Sequence, residues 1–259
     1  MENDINTDIN IVGSIPNYDI IIEIIKMRAK GDSNEEIKDK MVNQNIFEIR
    51  TKNSRIRFLT VIKNTFLKFT TPNQENFILK MSENADNNHI KNVILYFQFA
   101  INNRLFTLIT LNVFRKKLLD GAITFSKKEV EEYLYQLADK HEFIKELPVN
   151  TIKTISYKYL TIMTKFGYLE GRKKKNFKIQ IPDIKDLLFS IYFLHSIGIP
   201  SDKIFSNELM DLWLIEDSLK DEIIKNAAIR NLIKYSSSGK IVSLKCNLSL
   251  EDAVNAVTK

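Results

Sequence analysis

The sequence predicts a mainly α-helical protein that begins with a helical bundle and carries short β-hairpins in its second half. Apolar residues recur at helical spacing through most of the chain. Only seven Gly and five Pro occur in 259 residues, and no Gly/Ser-rich or Pro-rich linker is present. The 44% hydrophobic and 27% charged residues are typical of a folded chain, which is long enough for two modest domains.

The helical bundle is predicted at residues 15–121, after a polar, flexible N-terminus at residues 1–14. Thr51 is a candidate N-cap for the third helix, and Gly121 marks the end of the last one. The last two helices are apolar on most sides, so we expect them at the centre of the bundle. The predicted helices cover residues 18–29, 34–43, 51–69, 73–83, 88–101 and 103–119.

The third helix is rich in positive charge and has no acidic residue between Arg50 and Phe69. Its predicted apolar face begins at Ile56 and continues at helical spacing, and Arg57 and Lys68 lie on the opposite side. These charges indicate a secondary surface for an anionic partner, although a solvated helix face explains them as well. The secondary candidates are Arg50, Lys52, Arg55, Arg57 and Lys68.

Two further helices are predicted after the bundle. Ser126, three residues before Glu129, forms a capping box at the start of an amphipathic helix that extends to His141. The next helix is bounded by Asn150, a candidate N-cap, and by Gly167, which can adopt the left-handed conformation that ends a helix.

A hairpin is predicted immediately after these helices. Its strands are Tyr168–Glu170 and Phe177–Ile181, and the turn between them, Gly171–Asn176, is basic. Helix, linker, helix and hairpin is the order of a winged-helix module, in which the second helix enters the major groove of DNA. The sequence therefore predicts a winged-helix module at residues 122–182.

Positive charge is concentrated on the second helix and the hairpin of this module. Asn150 to Lys178 contains eight Lys or Arg residues and one acidic residue, Glu170. Such a surface attracts the phosphates of duplex DNA. The residues predicted to bind DNA are Thr151, Lys153, Thr154, Tyr157, Lys158, Thr161 and Lys165 on the helix, and Arg172, Lys173, Lys174, Lys175 and Lys178 on the hairpin.

The last region, residues 183–259, predicts further helices at 183–196, 203–215 and 218–235. Residues 232–235 are alternatively the first strand of a second hairpin, separated by Ser236–Gly239 from a strand at 241–246. This arrangement is winged-helix-like. It lacks a row of basic residues comparable to that of residues 122–182, which favours a role in packing or in contact with a partner. Trp213 lies among leucines and is predicted to be in the core.

No pattern in the sequence indicates catalysis. Glycine-rich phosphate loops, zinc-protease helices and Cys-x-x-Cys pairs are missing from it, and His89, His141 and His195 are far apart. Cys246 is the single cysteine, which excludes a multi-cysteine zinc site and an intramolecular disulfide. We therefore expect no enzyme activity, cofactor, metal ion or small-molecule substrate.

A cytoplasmic location without a membrane span is also predicted. The N-terminus is acidic and lacks the basic and apolar regions of a secretory signal. The most apolar stretches, Val93–Phe114 and Leu187–Ile199, are interrupted or too short for the roughly 20 apolar residues that a membrane-spanning helix needs. A net charge of +6 is consistent with an anionic partner.

The chain resembles the BrxA family of bacteriophage exclusion (BREX) defence systems. The similarity lies in Arg50–Arg57, in the apolar pair Val93–Leu119 with its Phe114-Arg115, and most strongly in Thr151–Gly171. It extends over about residues 20–200 and, less clearly, over Leu212–Leu244. The resemblance implies a cytoplasmic, non-enzymatic accessory protein that binds double-stranded DNA beside the methyltransferase, ATPase and phosphatase-like members of a defence operon.

Lysines stand here where the family often has arginines, which favours contacts with the DNA backbone over bidentate base recognition. Two alternatives stay open. One is a protein-docking adaptor whose partners are other BREX proteins, since winged helices also bind proteins. The other is a transcription regulator or RNA-binding factor that uses the same helix. A basic hairpin also protects a strand edge from aggregation, without any partner.

Overall fold

The computed structural model describes residues 5–238 and 241–258, and in this part the chain is mainly helical with a few short antiparallel strands, as predicted. Two π-helical segments, Asp39–Asn43 and Thr110–Phe114, continue α3 and join α7 to α8, and a 3-10 helix covers Glu208–Trp213. The helices are α1 (Ile9–Val12), α2 (Asp19–Ala29), α3 (Asn34–Lys38), α4 (Lys52–Thr65), α5 (Pro72–Glu83), α6 (Asn88–Asn102), α7 (Arg104–Ile109), α8 (Arg115–Leu119), α9 (Lys127–Ala138), α10 (Glu142–Lys145), α11 (Val149–Lys165), α12 (Ile184–Ser196), α13 (Ser201–Ile204), α14 (Asp217–Ile229) and α15 (Leu250–Thr258).

The strands form two antiparallel sheets. One has three strands in the order β1-β3-β2, and the other pairs β4 with β5. The second hairpin that the sequence predicts as an alternative is therefore present, and Ser236–Ser238 belong to its first strand; Gly239 of its predicted turn lies outside the described residues. The strands are β1 (Thr124–Phe125), β2 (Leu169–Glu170), β3 (Lys175–Phe177), β4 (Ile233–Ser238) and β5 (Ile241–Cys246).

Local capping signals account for several helix boundaries. The Thr51 hydroxyl accepts a hydrogen bond from the Ser54 amide at 3.1 Å, which confirms Thr51 as the N-cap of α4. Ser126 and Glu129 form the predicted capping box at the start of α9. Both caps satisfy amide groups that a helix leaves without intrahelical partners.

Three described helices lie outside the predicted ones: α1, α10 and α15. Where the sequence predicts a flexible N-terminus, residues 9–12 form α1, and Ile9 and Val12 are fully buried; residues 1–4 lie outside the described part of the chain. Residues 203–215, predicted as one helix, are divided between the end of α13 and the 3-10 helix. Helices α1 and α10 have four residues each, so they show too little of the helical period to be detected.

The chain forms two compact units, each assembled from separate segments. Unit 1 contains Lys38–Phe66 and Gln98–Gln180 together with the chain up to Ile21. Unit 2 contains Ile22–Ile37, Leu67–Phe97 and the chain from Ile181 onward.

In unit 1, an aromatic cluster lies beneath the three-stranded sheet. It consists of Phe114, Phe125, Tyr159 and Phe177, and Phe114 lies 4.9 Å from Phe125 and 4.8 Å from Phe177 between ring centroids. The Tyr159 hydroxyl and the Thr110 hydroxyl share a hydrogen bond of 3.0 Å, so this buried phenol has a polar partner. Because Tyr159 belongs to α11 and Phe125 to β1, the cluster fixes the sheet against that helix.

Unit 2 is built around α12, in which every residue from Asp186 to Leu194 is buried. Phe97 packs between Phe189, at 5.5 Å, and Trp213, at 5.2 Å between ring centroids. The Trp213 indole donates a hydrogen bond to the Ser190 hydroxyl at 3.1 Å, and its predicted core position is confirmed.

No single described helix is long and apolar enough to cross a membrane; α6 and the segment Arg104–Leu119 would pass that test only as a pair, and the chain bends sharply between them.

One ion pair in unit 2 couples the start of α6 to the start of α12. His89 Nε2 lies 2.7 Å from the Oδ1 atom of Asp186, which is buried. Asp186 also accepts a hydrogen bond from the Asp183 amide at 3.1 Å. The hydrogen bond with Asp186 raises the pKa of His89 above its ordinary value of 6.5, and it outweighs the opposing effect of burial.

Stability should therefore depend on pH through this pair. The folded protein holds the His89 proton more tightly than the unfolded chain does. The ion pair therefore contributes its full stabilisation of the folded state below the ordinary pKa of 6.5, and this contribution is lost as the pH rises through the raised pKa of His89. The urea midpoint should be lower at about pH 8.5 than at about pH 6, and the difference should shrink in His89→Gln. An equal pH difference in His89→Gln would assign the effect to other groups.

Candidate nucleic-acid interface

Helix α11 begins one residue before the N-cap that the sequence predicts. Its N-cap is Pro148, whose carbonyl accepts hydrogen bonds from the amides of Thr151 and Ile152 at 2.8 and 3.2 Å. Asn150 thus lies inside the first turn, and its predicted role as N-cap is wrong. Pro148 suits this place because its fixed φ and missing N–H cost nothing at a helix start.

The other end of α11 is closed as predicted. Gly167 has φ +85°, and the Tyr168 amide donates a hydrogen bond to the Met163 carbonyl at 2.9 Å. The side chain of Gln180 donates to the Phe166 carbonyl at 3.2 Å, which joins the chain after the hairpin to this helix end.

The core face and the outer face of α11 are divided as the helical period predicts. Ile152, Ile155, Tyr159, Ile162 and Met163 are all buried. Of the seven predicted DNA-binding residues on this helix, three are exposed and four are half-buried. The exposed ones are Lys153, Thr154 and Tyr157, and the half-buried ones are Thr151, Lys158, Thr161 and Lys165.

The two half-buried lysines lie against the N-terminal segment. The Lys165 ammonium donates a hydrogen bond to the Ile15 carbonyl and lies 4.6 Å from the centroid of the Tyr18 ring. Gly13 packs so closely on α11 that an added Cβ would lie 2.8 Å from the Cβ of Lys158. Residues 9–18 therefore cover the second half of the predicted DNA-binding face of α11, which carries Lys158 and Lys165, and leave its first half exposed.

Coverage by this segment changes the electrostatics of Lys165. Burial, and to a lesser extent the positive charge of Lys158, lower the pKa of Lys165 to about 8. Its ammonium is already engaged with Ile15, so Lys165 is a weaker phosphate ligand than Lys153, which is exposed.

The hydroxyls of two of the candidate threonines on α11 are also engaged. Thr154 donates to the Asn150 carbonyl at 2.7 Å, and Thr161 donates to the Tyr157 carbonyl at 3.2 Å. Each hydroxyl can still accept a hydrogen bond, but donation to a phosphate oxygen would require breaking the existing one. Among the exposed residues of α11, Lys153 and Tyr157 are thus best placed to donate to phosphate.

In the hairpin, Gly171 makes the tight turn with φ +91°. A Cβ at this position would collide with the Lys174 carbonyl, so the turn requires glycine. Arg172, Lys173 and Lys174 are exposed at the turn, and Lys178 is exposed after it. Lys175 is half-buried, and its ammonium donates to the Gly171 carbonyl at 2.6 Å.

The second strand of the hairpin differs from the prediction. It covers Lys175–Phe177 instead of Phe177–Ile181, and it pairs with β2 through Leu169 opposite Phe177 and with β1 through Phe125 opposite Lys175. The position of β1 on its far side fixes this register, and β1 is only two residues long. Lys175 therefore belongs to the sheet, and the basic turn is shorter than predicted.

The secondary basic candidates are not all equivalent. Arg50, Lys52 and Arg57 are exposed, whereas Arg55 is half-buried. The buried Nε atom of Arg55 has no hydrogen-bond partner among the described residues. Lys68 is exposed, lies beyond the end of α4 and belongs to unit 2.

The buried face of α4 agrees with the predicted one at Leu59, Ile62 and Phe66, but not at Ile56. Ile56, placed on the apolar face by the sequence pattern, is 43% exposed, whereas Val61 is buried. Helix α1 packs against both α4 and α11. The two basic helices of unit 1 consequently contact the same short helix on the N-terminal segment.

Two exposed residues of α11 were not among the predicted site residues. Val149 is 54% exposed at the first position of the helix, and Asn150 is exposed beside it. The Pro148 at the helix start could have indicated their place within the first turn.

Within the described residues, no group of His, Cys, Asp and Glu side chains is arranged to hold a metal ion. The fold and this surface define a mainly helical protein with a lysine-rich helix and hairpin. A family model for BrxA matches residues 19–191, which is more than half of the chain and includes α4, α11 and the hairpin. The chain therefore belongs to the BrxA family, and membership implies a role associated with BREX defence. No curated protein matches the chain.

Proposed function

We propose that this protein binds duplex DNA through a winged-helix module, mainly by contacts with the phosphate backbone, as a non-enzymatic accessory protein of BREX defence in the cytoplasm. In this module α11 enters the major groove and the turn between β2 and β3 lies along the backbone.

The observation that carries the proposal is the element order around α11. The chain runs β1, α9, α10, α11, β2 and β3, and the three strands pair in the order β1-β3-β2. Helix α11 packs on α9, as the second helix of a helix-turn-helix does, and contacts β2 of the hairpin. The open first half of α11 and the basic turn are thus parts of one small substructure.

Charge supports the same proposal. Arg172, Lys173 and Lys174 are exposed at the turn, Lys153 is exposed on α11, and Lys178 follows the hairpin. Clustered lysines of this kind bind phosphates and release counterions, so affinity should fall steeply as the salt concentration rises.

Binding of fluorescent duplexes over a salt series tests the proposal. We expect the intact protein to bind random duplex and BREX-operon promoter duplex with similar affinity and a steep log–log salt slope, and single-stranded RNA more weakly. Promoter binding far above random duplex would indicate a transcription regulator, and preferred RNA binding would indicate an RNA factor. No duplex binding at about 0.1 M salt would refute the proposal.

A second candidate function is protein docking, and two exposed isoleucines favour it. Ile123 is 79% exposed and Ile179 is 71% exposed, and the Ile123 carbonyl accepts a hydrogen bond from the Phe177 amide of β3. Exposed apolar residues next to a sheet edge are typical of a protein-binding surface. Replacing both isoleucines with serine should impair capture of another BREX protein under this function and leave DNA binding unchanged.

A further inference from the structure

We propose that the first turn of α11 reads base edges, so that this protein prefers duplex sites containing A·T pairs; the inference rests on the proposed DNA-binding function. Asn150 is the proposed adenine-reading residue, and Val149 contacts the methyl group of thymine.

Asn150 has an unused carboxamide. Because the helix starts at Val149, the Asn150 side chain does not cap it, and no group in the described part of the chain hydrogen-bonds that carboxamide. A carboxamide offers one donor and one acceptor side by side, which matches the N6 and N7 atoms of adenine in the major groove.

Exposed apolar surface lies next to Asn150 and again two turns further along α11. Val149 is 54% exposed, and Tyr157, two turns further along the same side of α11 as Asn150, is 61% exposed. The thymine methyl group is the apolar feature of the major groove, and aliphatic side chains contact it. An exposed carboxamide with an aliphatic side chain at the preceding position therefore matches an A·T pair better than a G·C pair.

The distribution of charge separates base contact from phosphate contact. The first four residues of α11 carry no charge, and the segment just before them has exposed charges of both signs, at Glu142, Lys145 and Glu146. The uncharged side chains of this turn are suited to base edges, where hydrogen bonds and apolar contacts carry the sequence information. The cations lie further on, at Lys153 and at the turn after Gly171, where they can hold the backbone on either side of the groove.

The position of these residues in the module agrees with this division of contacts. In a helix-turn-helix, the N-terminal residues of the recognition helix contact base edges. Residues 9–18 cover the other end of α11, so the first turn is also the part of the helix that is open to a partner.

Selection of bound sites from a random duplex library tests the inference with the intact protein. We expect the wild-type protein to enrich adenine or thymine at one or two neighbouring positions by roughly tenfold. Asn150→Ala should lose this preference while its affinity for the unselected library stays within about twofold. The matched control is Asn64→Ala, which removes an exposed carboxamide from α4 and should keep the preference.

The outcomes separate base reading from DNA binding. Loss of the preference in Asn150→Ala alone, with thermal unfolding unchanged, supports the inference. Library binding without enrichment by the wild-type protein, or an unchanged preference in Asn150→Ala, overturns base reading and leaves the proposed function standing. Failure of the wild-type protein to bind the library overturns both.

Discussion

Serine in place of Arg172, Lys173 and Lys174 should lower the affinity for random duplex DNA by roughly 500-fold at about 0.1 M salt, if each cation neutralises one phosphate. Loss of these three phosphate contacts should also reduce the slope of log affinity against log salt concentration by about 2.7 in magnitude, since each phosphate contact contributes about 0.9. All three side chains are exposed, so the fold should be preserved. Fluorescence anisotropy over a salt series measures both quantities.

A control variant with the same change in net charge separates local contact from general attraction. Lys116, Lys117 and Lys140 are exposed in unit 1 outside the hairpin and α11, and their replacement by serine removes three positive charges as well. This control should change the salt slope by less than one. Equal losses in the two variants would contradict a specific role for the hairpin.

Phe125→Ala should lower the free energy of unfolding by about 3–5 kcal/mol, because it removes a fully buried ring and leaves a cavity. Phe125 is 1% exposed and lies against Phe114, Tyr159 and Phe177, so the change empties the space between the sheet and α11. Urea unfolding followed by circular dichroism measures the loss.

Phe143→Ala provides the matched control, since the same ring is removed from α10 where it is 45% exposed. The cost there should stay below about 1 kcal/mol. Similar unfolding free energies for the two variants would show that the aromatic cluster does not hold the sheet on α11.

Much of the helical architecture follows from local patterns in the sequence. The capping residues Thr51 and Ser126, the left-handed Gly167 and the buried face of α11 were all predictable, because each depends on residues within a turn or two. Strand β1 has two residues and α1 has four, and such short elements exist only because partners distant in sequence bury them. Neither element was predicted, and the predicted bounds of β3, which pairs with β1, were wrong.

The candidate site was predicted in composition but not in accessibility. The lysines of α11 and of the hairpin are evident from the sequence, whereas the coverage of Lys165 depends on Ile15, a residue 150 positions earlier. No local pattern connects two such residues. The position of Asn150 was also mispredicted, by a shift of one residue in the helix start. Because α11 begins at Val149, the Asn150 side chain does not cap the helix.

The division of both units into separate segments constrains how the protein is made. Helix α1 can bury Ile9 and Val12 against α11 only after the ribosome has released residues 149–165. Unit 1 can complete its fold only after Gln180 has left the ribosome. By then two segments of unit 2 have been synthesised, whereas the rest of that unit, from Ile181 onward, has not. Neither unit can complete its fold on a short nascent chain, so part of the apolar surface of the early segments stays exposed until the later segments emerge.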